Sequence, residues 1–155
     1  MAQEIERKFL VDGSSWKAGA TATLTRQGYL SSGTGRTVRV RVAGSMAFLT
    51  IKGPTRGLAR AEFEYPIPVD DAEAMLDALC ERPLIEKTRW LVPFKGFIWE
   101  VDEFHGENAG LLVAEVEIPT SETKPELPPW VREEVSSDPR YFNSNLSKNP
   151  YKSWK

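Results

Sequence analysis

Charge sits on one face of strand after strand, which points to a mainly β, α+β fold: an eight-stranded antiparallel closed barrel with a charged lumen and helices packed outside. Three observations carry this reading. Successive segments alternate apolar and polar residues with period two, as strands do when their two faces meet different surroundings. Charges on the polar faces are sorted by sign: Glu4 with Glu6, Glu62 with Glu64, Glu100 with Asp102 and Glu115 with Glu117 pair acids, whereas Arg39 with Arg41 and Lys87 with Arg89 pair bases. The two signs also nearly balance, eight acids against seven bases (Lys8, Arg39, Arg41, Lys52, Arg60, Lys87, Arg89). Alternation alone suits a two-sheet sandwich with solvated charged faces equally well. Sorting favours the barrel, because solvated faces usually mix signs and sorted faces call for partners of the opposite sign. Eight antiparallel strands can close around side chains or one small ligand.

The elements follow in order. In 4–11, Glu4, Glu6 and Lys8 point one way and Ile5 the other. A weaker strand at 22–31 sets Gln27 and Tyr29 opposite Leu24 and Leu30. In 35–43, Val38, Val40 and Val42 oppose Arg39 and Arg41, and Ala43-Gly44-Ser45 offers a hairpin into 46–53, where Leu49 and Ile51 oppose Thr50 and Lys52. In 59–67, Ala61, Phe63 and Tyr65 oppose Arg60, Glu62 and Glu64. A helix is expected over 70–82, with Asp70 as N-cap, Glu73 three residues on, a stripe of Ala72, Met75, Leu76, Leu79 and Cys80, and Pro83 as its stop. The stripe makes Cys80 a packed thiol rather than a nucleophile. Strands resume at 85–93 (Thr88, Trp90 and Val92 against Lys87 and Arg89), 96–104 (Phe97, Trp99 and Val101 against Glu100 and Asp102) and 111–119 (Leu112, Ala114, Val116 and Ile118 against Glu115 and Glu117). Gly96 and the run from His105 to Gly110 supply turns, which makes His105 an exposed loop histidine. The proline-rich stretch 123–129 then sets off a C-terminal helical segment, about 129–155, whose Trp130, Val131, Val135, Tyr141, Phe142 and Leu146 would cover the barrel or close one mouth.

Bulk properties narrow the function. At 155 residues the chain fits one domain, 1–155, with a sizeable core. A net charge of −2 argues against a dedicated nucleic-acid binder. The one cysteine cannot form an internal disulfide, and charges from Glu4 to Lys8 interrupt any signal-peptide pattern. No apolar run approaches the roughly 20 residues of a membrane span. These features set the expectation of a soluble, cytoplasmic protein, and the outward apolar faces leave room for a homodimer.

The opening Glu4-Ile5-Glu6-Arg7-Lys8-Phe9-Leu10 matches the ExExK signature of the CYTH superfamily, the triphosphate tunnel metalloenzymes. Support is spread along the chain: Gln27-Gly28-Tyr29-Leu30, Thr37-Val38-Arg39-Val40-Arg41, Leu49-Thr50-Ile51-Lys52-Gly53, Glu62-Phe63-Glu64-Tyr65, Lys87-Thr88-Arg89, Trp99-Glu100-Val101-Asp102 and Ala114-Glu115-Val116-Glu117-Ile118 occur in the family's order. Tyr141-Phe142-Asn143-Ser144-Asn145-Leu146 resembles the C-terminal segment of compact bacterial members. The resemblance implies an eight-stranded tunnel that hydrolyses a triphosphate phosphoanhydride with a divalent metal. Inorganic tripolyphosphate, cleaved to pyrophosphate and phosphate, is the first expectation. Thiamine-triphosphatase, nucleoside or RNA triphosphatase and adenylate cyclase are other activities of the same fold. A non-catalytic polyphosphate-binding barrel would show the same cationic lumen but would not need its acids as a metal cluster.

The chemistry asked of the lumen follows. A triphosphate needs several fixed cations, and arginine forks match phosphate oxygens; Lys8, Arg39, Arg41, Lys52, Arg60, Lys87 and Arg89 are the candidates. Clustered carboxylates suit Mg²⁺ or Mn²⁺, and without a Cys/His cluster zinc does not fit. The resemblance implies that Glu4, Glu6 and Glu117 form the principal metal site with Glu115 beside them. Glu62, Glu64, Glu100 and Asp102 would serve a second ion or orient water. Glu4, Glu6, Glu117 and Lys8 are the catalytic set. Lys8 either clamps phosphate beside Glu4 and Glu6 or, crowded by Arg39, Arg41 and Lys52, accepts a proton from water.

Overall fold

The computed structural model describes residues 3–33 and 35–154. Nine strands form one sheet: β1 (Gln3–Val11), β2 (Thr21–Ser31), β3 (Thr37–Ala43), β4 (Met46–Lys52), β5 (Ala59–Pro66), β6 (Ile85–Phe94), β7 (Phe97–Phe104), β8 (Leu112–Glu117) and β9 (Val131–Glu134). Helix α1 (Val69–Ala78) lies between β5 and β6, and α2 (Asn143–Lys148) follows β9. The strand order is β5-β4-β3-β2-β6-β7-β8-β1-β9, and an additional β5–β1 pairing closes eight strands into a ring. All pairs are antiparallel. The hairpins show why the chain reverses where it does. Between β6 and β7, Lys95 (φ 48) and Gly96 (φ 83) both adopt the left-handed conformation that a tight two-residue turn requires.

Closure depends on β1. It pairs with β8 along one edge and divides the other, giving residues 3–5 to β5 and Phe9 and Val11 to β9. Strand β9 corrects the expectation of an all-helical C-terminal segment. Four residues with three charges, Val131-Arg132-Glu133-Glu134, carry little strand signal. They become a strand because β5 leaves the second half of that β1 edge unpaired, and unpaired backbone groups recruit a partner. The Val135 amide completes the contact by donating to the Lys8 carbonyl at 2.8 Å.

Outer strand faces are apolar and form two of the three cores. Phe9, Trp99, Val101, Ala114 and Val116 pack under Trp16 and Trp130. Val40, Val42 and Ala47 pack under Ala72, Leu76 and Cys80. The third core lies on lumen-facing positions. Ile85 lies two residues before Lys87, Phe104 two after Asp102 and Val113 two before Glu115, so each shares its neighbour's face. With Leu10 they meet Tyr141 and Leu146 of the C-terminal segment. This apolar plug seals one end of the barrel, so the lumen is a cup with one mouth.

Helix α1 is shorter than its pattern. It starts behind Pro68, so Asp70 is not the N-cap; Asp70 and Asp71 instead lie in the first turn, where the helix dipole favours negative charge. It stops at Ala78, before Pro83 can act, and Leu79 is 67% exposed rather than packed. The amides of Leu79 and Cys80 both return to Met75 O, and the Glu81 amide donates to Tyr29 O at 2.9 Å. That last bond draws the chain onto the β2 backbone, next to the register shift between Tyr29 and Ser31, and ends the helix. Gly28 makes this approach possible: a Cβ there would lie 2.7 Å from Leu84 Cδ2 and 2.8 Å from Cys80 Cβ. Gly28→Ala is therefore expected to destabilise the fold by about 1–3 kcal/mol, as overpacking does. A denaturant melt with an unchanged midpoint would refute the close contact.

His105 is half-buried rather than exposed. Its Nε2 lies 2.8 Å from Thr88 Oγ1, and it takes no part in the lumen. Cys80 is buried, and burial pushes its thiol pKa up, as befits a packed side chain. Among the described residues no helix is long and apolar enough to cross a membrane.

Candidate active site

The lumen holds a cavity of about 280 Å³. Its walls carry Glu4, Glu6, Lys8, Arg39, Arg41, Lys52, Arg60, Glu62, Glu64, Lys87, Arg89, Glu100, Glu115 and Glu117. Fourteen of the fifteen acids and bases singled out from the strand pattern thus meet in one cavity. The fifteenth, Asp102, lies behind the wall and is 1% exposed.

Sheet order sorts these charges into opposing walls. β7, β8 and β1 are neighbours, which places Glu100 opposite Glu115 and Glu117 opposite Glu6 across the ladder. Like charges directly opposite destabilise a sheet, and the strain is visible. The Glu6 carboxyl is pushed well above the usual range, by burial first and then by the nearby Glu115 and Glu4. Glu115 is held well below the usual range: burial would raise it, but Lys8 and Arg89 outweigh that effect. Burial also raises Glu100.

The facing wall is cationic. Arg39 and Arg41 project from β3, and each has a buried Nε with no acceptor among the described residues. Their outer nitrogens share Glu64, at 3.5 Å and 3.2 Å. Burial, then Arg39 and Arg89, lower Arg41 to about 10. At the mouth Lys52 donates to Glu4 at 2.6 Å and lies 3.5 Å from Glu62. Burial, then Glu4, raise the Glu62 carboxyl. Arg60, opposite Glu4 in register, donates to Gly53 O at 3.0 Å.

Near the plug, Asp102 binds two cations. Its Oδ2 accepts from Lys87 Nζ at 2.8 Å and from Arg89 Nη2 at 2.9 Å, and its Oδ1 accepts from Arg89 Nε at 2.8 Å. Burial alone would raise Asp102, but Arg89 and Lys87 hold it below the usual range. Burial would likewise lower Arg89, yet Asp102 holds it well above its ordinary value. For Lys87 burial wins over Asp102, and with Arg89 nearby its pKa falls to about 8. Lys8 is buried, donates to Tyr141 O at 3.3 Å and lies 5.4 Å from the Phe142 ring centre.

The C-terminal segment supplies residues that strand pattern could not reveal. Ser136, Phe142, Asn143 and Ser144 join the lining, together with Tyr29, Thr37 and the β4–β5 loop at Thr55, Gly57 and Leu58. Asn143 bridges Lys87 and Gln27. The expectation that this segment closes one mouth, and the resemblance of Tyr141 to Leu146 to the C-terminal segment of compact bacterial members, hinted at such a role without assigning it to any residue.

The donor chemistry bears on metal binding. Glu4, Glu6, Glu115 and Glu117 offer oxygen only, which suits a hard divalent cation. Burial, Glu115 and Glu4 raise the Glu6 carboxyl, and a bound cation would relieve the same repulsion. Among the described residues no three acidic, His or Cys groups converge into a ready-made ligand set. Glu4 is tied to Lys52 and Glu117 is exposed, so the carboxylates would have to swing together around an ion. Asp102, itself buried with both oxygens engaged by Lys87 and Arg89, fits a bracing role better than a second ion site.

The CYTH domain family model matches residues 2–149. An inorganic triphosphatase of Acetivibrio thermocellus is 50% identical over 155 residues, covering 100% of this chain and 99% of that protein. An inorganic triphosphatase of Nitrosomonas europaea is 38% identical over 149 residues, 93% of this chain and 96% of that protein. A crystal structure of an inorganic triphosphatase superposes with a TM-score of 0.65 at 35% identity, covering 93% of this chain and 97% of the other.

Proposed function

This chain belongs to the CYTH domain family, and on that premise we propose that it is one tunnel domain that hydrolyses inorganic tripolyphosphate to pyrophosphate and phosphate with a divalent metal ion. The observation that carries the reading is the pair of opposed walls: β3 arginines whose buried Nε groups have no acceptor among the described residues face carboxylates that lie directly opposite one another, Glu6 against Glu117 and Glu100 against Glu115. The one wall suits an anion, and the other, with like charges facing across the ladder, suits a cation.

Arg39, Arg41, Lys52, Arg60 and Lys8 hold phosphate oxygens, with Lys87 and Arg89 nearer the plug. Before substrate arrives, Glu64 and Glu62 keep Arg41 and Lys52 in place, and Asp102 braces Lys87 and Arg89. Glu4, Glu6, Glu115 and Glu117 would hold Mg²⁺ or Mn²⁺. Bound there, such an ion would supply charge neutralisation at phosphate oxygens and a more acidic water. Lys8 acts as a phosphate clamp, because its Nζ is already committed as a donor beside the plug. The lining favours an inorganic substrate: beyond Tyr29, Leu58 and Phe142 it offers little surface for an organic group.

Phosphate release from tripolyphosphate, pyrophosphate, ATP and thiamine triphosphate, each with Mg²⁺ and Mn²⁺, tests this. Tripolyphosphate is expected to turn over fastest, giving pyrophosphate and phosphate in equal amounts, and a chelator to stop it. Tight binding without turnover would point to a binding barrel, and cyclic AMP from ATP to a cyclase.

A further inference from the structure

We propose that Asn143 binds a substrate phosphate oxygen through its side-chain N–H groups at the closed end of the cup; this contact builds on the tripolyphosphate reading. Asn143 lines the cavity between Phe142 and Ser144, in the segment that closes the barrel. Its Oδ1 accepts from Lys87 Nζ at 3.0 Å and from Gln27 Nε2 at 3.2 Å. An ammonium offers only donors, so the atom facing Lys87 has to be the carbonyl oxygen, and the amide cannot be reversed. Gln27 and Lys87 are themselves fully buried, which holds the amide in that orientation. The Nδ2 end is thereby left at the cavity wall. It is not sealed from solvent, and among the described residues nothing accepts from it.

A neutral donor has a particular use in this lumen. Lys52, Lys87 and Arg89 are all paired with acids, so an incoming phosphate must compete with a carboxylate for each. Among the described residues the Asn143 N–H groups have no protein partner to give up. They also add a directional hydrogen bond without further raising the positive charge beside Lys87, whose ammonium burial already disfavours.

Asn143→Asp separates a substrate contact from a structural brace. The oxygen facing Lys87 and Gln27 is retained, so the floor of the cup stays intact, while the second carboxylate oxygen replaces the donor. Hydrogen bonds to charged groups imply a loss of roughly 10- to 100-fold in tripolyphosphate affinity by calorimetry. KM should rise accordingly with kcat largely kept, and the melting temperature should not fall. Asn143→Ala, a second variant should the first fail to fold, is expected to weaken binding about 10-fold. Wild-type affinity in Asn143→Asp overturns the contact. So does a loss confined to Asn143→Ala, which would make the residue only a brace for Lys87. Wild-type protein that binds tripolyphosphate without hydrolysing it, with Asn143→Asp weakened, supports the contact and sinks the hydrolase reading. Normal wild-type hydrolysis with an unweakened Asn143→Asp sinks the contact alone.

Discussion

Asp102→Ala is expected to destabilise the fold by about 3–5 kcal/mol, the usual consequence of removing one partner from a buried ion pair. Asp102 and Lys87 are each 1% exposed, so the lost carboxylate leaves a buried charge without its partner. The two orphaned cations would respond differently. Lys87, already lowered to about 8, would shed its proton near neutral pH. Arg89 cannot deprotonate and would lean on Glu100 at 3.3 Å and Glu115 at 3.7 Å. By the size scaling of thermal unfolding, the melting temperature should drop by roughly 6–20 °C. The effect should depend on pH, with a definite sign. Asp102 is depressed in the folded state, so its contribution is complete above the unfolded carboxylate value and disappears as pH falls through the lower folded value. Wild type and Asp102→Ala should therefore converge in acid. A melt at neutral pH equal to wild type would show that Asp102 braces nothing.

Glu6→Gln should do the opposite to stability while removing function. Burial, Glu115 and Glu4 disfavour a charge on Glu6, which also lies opposite Glu117, so a neutral amide of the same shape avoids the cost of charging that position and can donate to Glu115. The melting temperature should hold or rise. Divalent-dependent release of phosphate from tripolyphosphate should fall by at least about 100-fold, since even outer-shell partners of a metal cost 10–100-fold when changed. Stability traded for a charged site is a common signature of function. A Glu6→Gln protein with full activity at saturating Mn²⁺ would remove Glu6 from the metal site. A sharply less stable one would mean that its carboxyl is structural instead.

Most of the barrel could be read from the chain alone. All eight expected strands appear within two residues of their expected ends. The reason is local: alternate side chains point to opposite faces whatever the strand later meets, so Glu4-Ile5-Glu6 or Arg39-Val40-Arg41 shows its two faces in one dimension. Charge sorting went further and identified the polar face as the inner one. Helix α1 was harder, because its stripe continues to Leu79 and Cys80 while its end is decided by a hydrogen bond from Glu81 to Tyr29, some fifty residues away in the chain.

Residue type and spacing thus established the strands, their faces and the list of charged groups, because each is a property of the covalent chain. They could not establish who faces whom. That Glu6 lies opposite Glu117 while Lys87 shares Asp102 with Arg89 follows from strand order and register. That the lumen ends in a plug follows from Ile85, Phe104 and Val113 occupying inner positions beneath a segment that returns from the far end of the chain. Asn143 was legible only as part of the C-terminal segment Tyr141 to Leu146, with no role of its own. It gains a role only where the folded chain brings it to Lys87 and Gln27, because a hydrogen bond acts over about 3 Å in space and is indifferent to distance along the sequence.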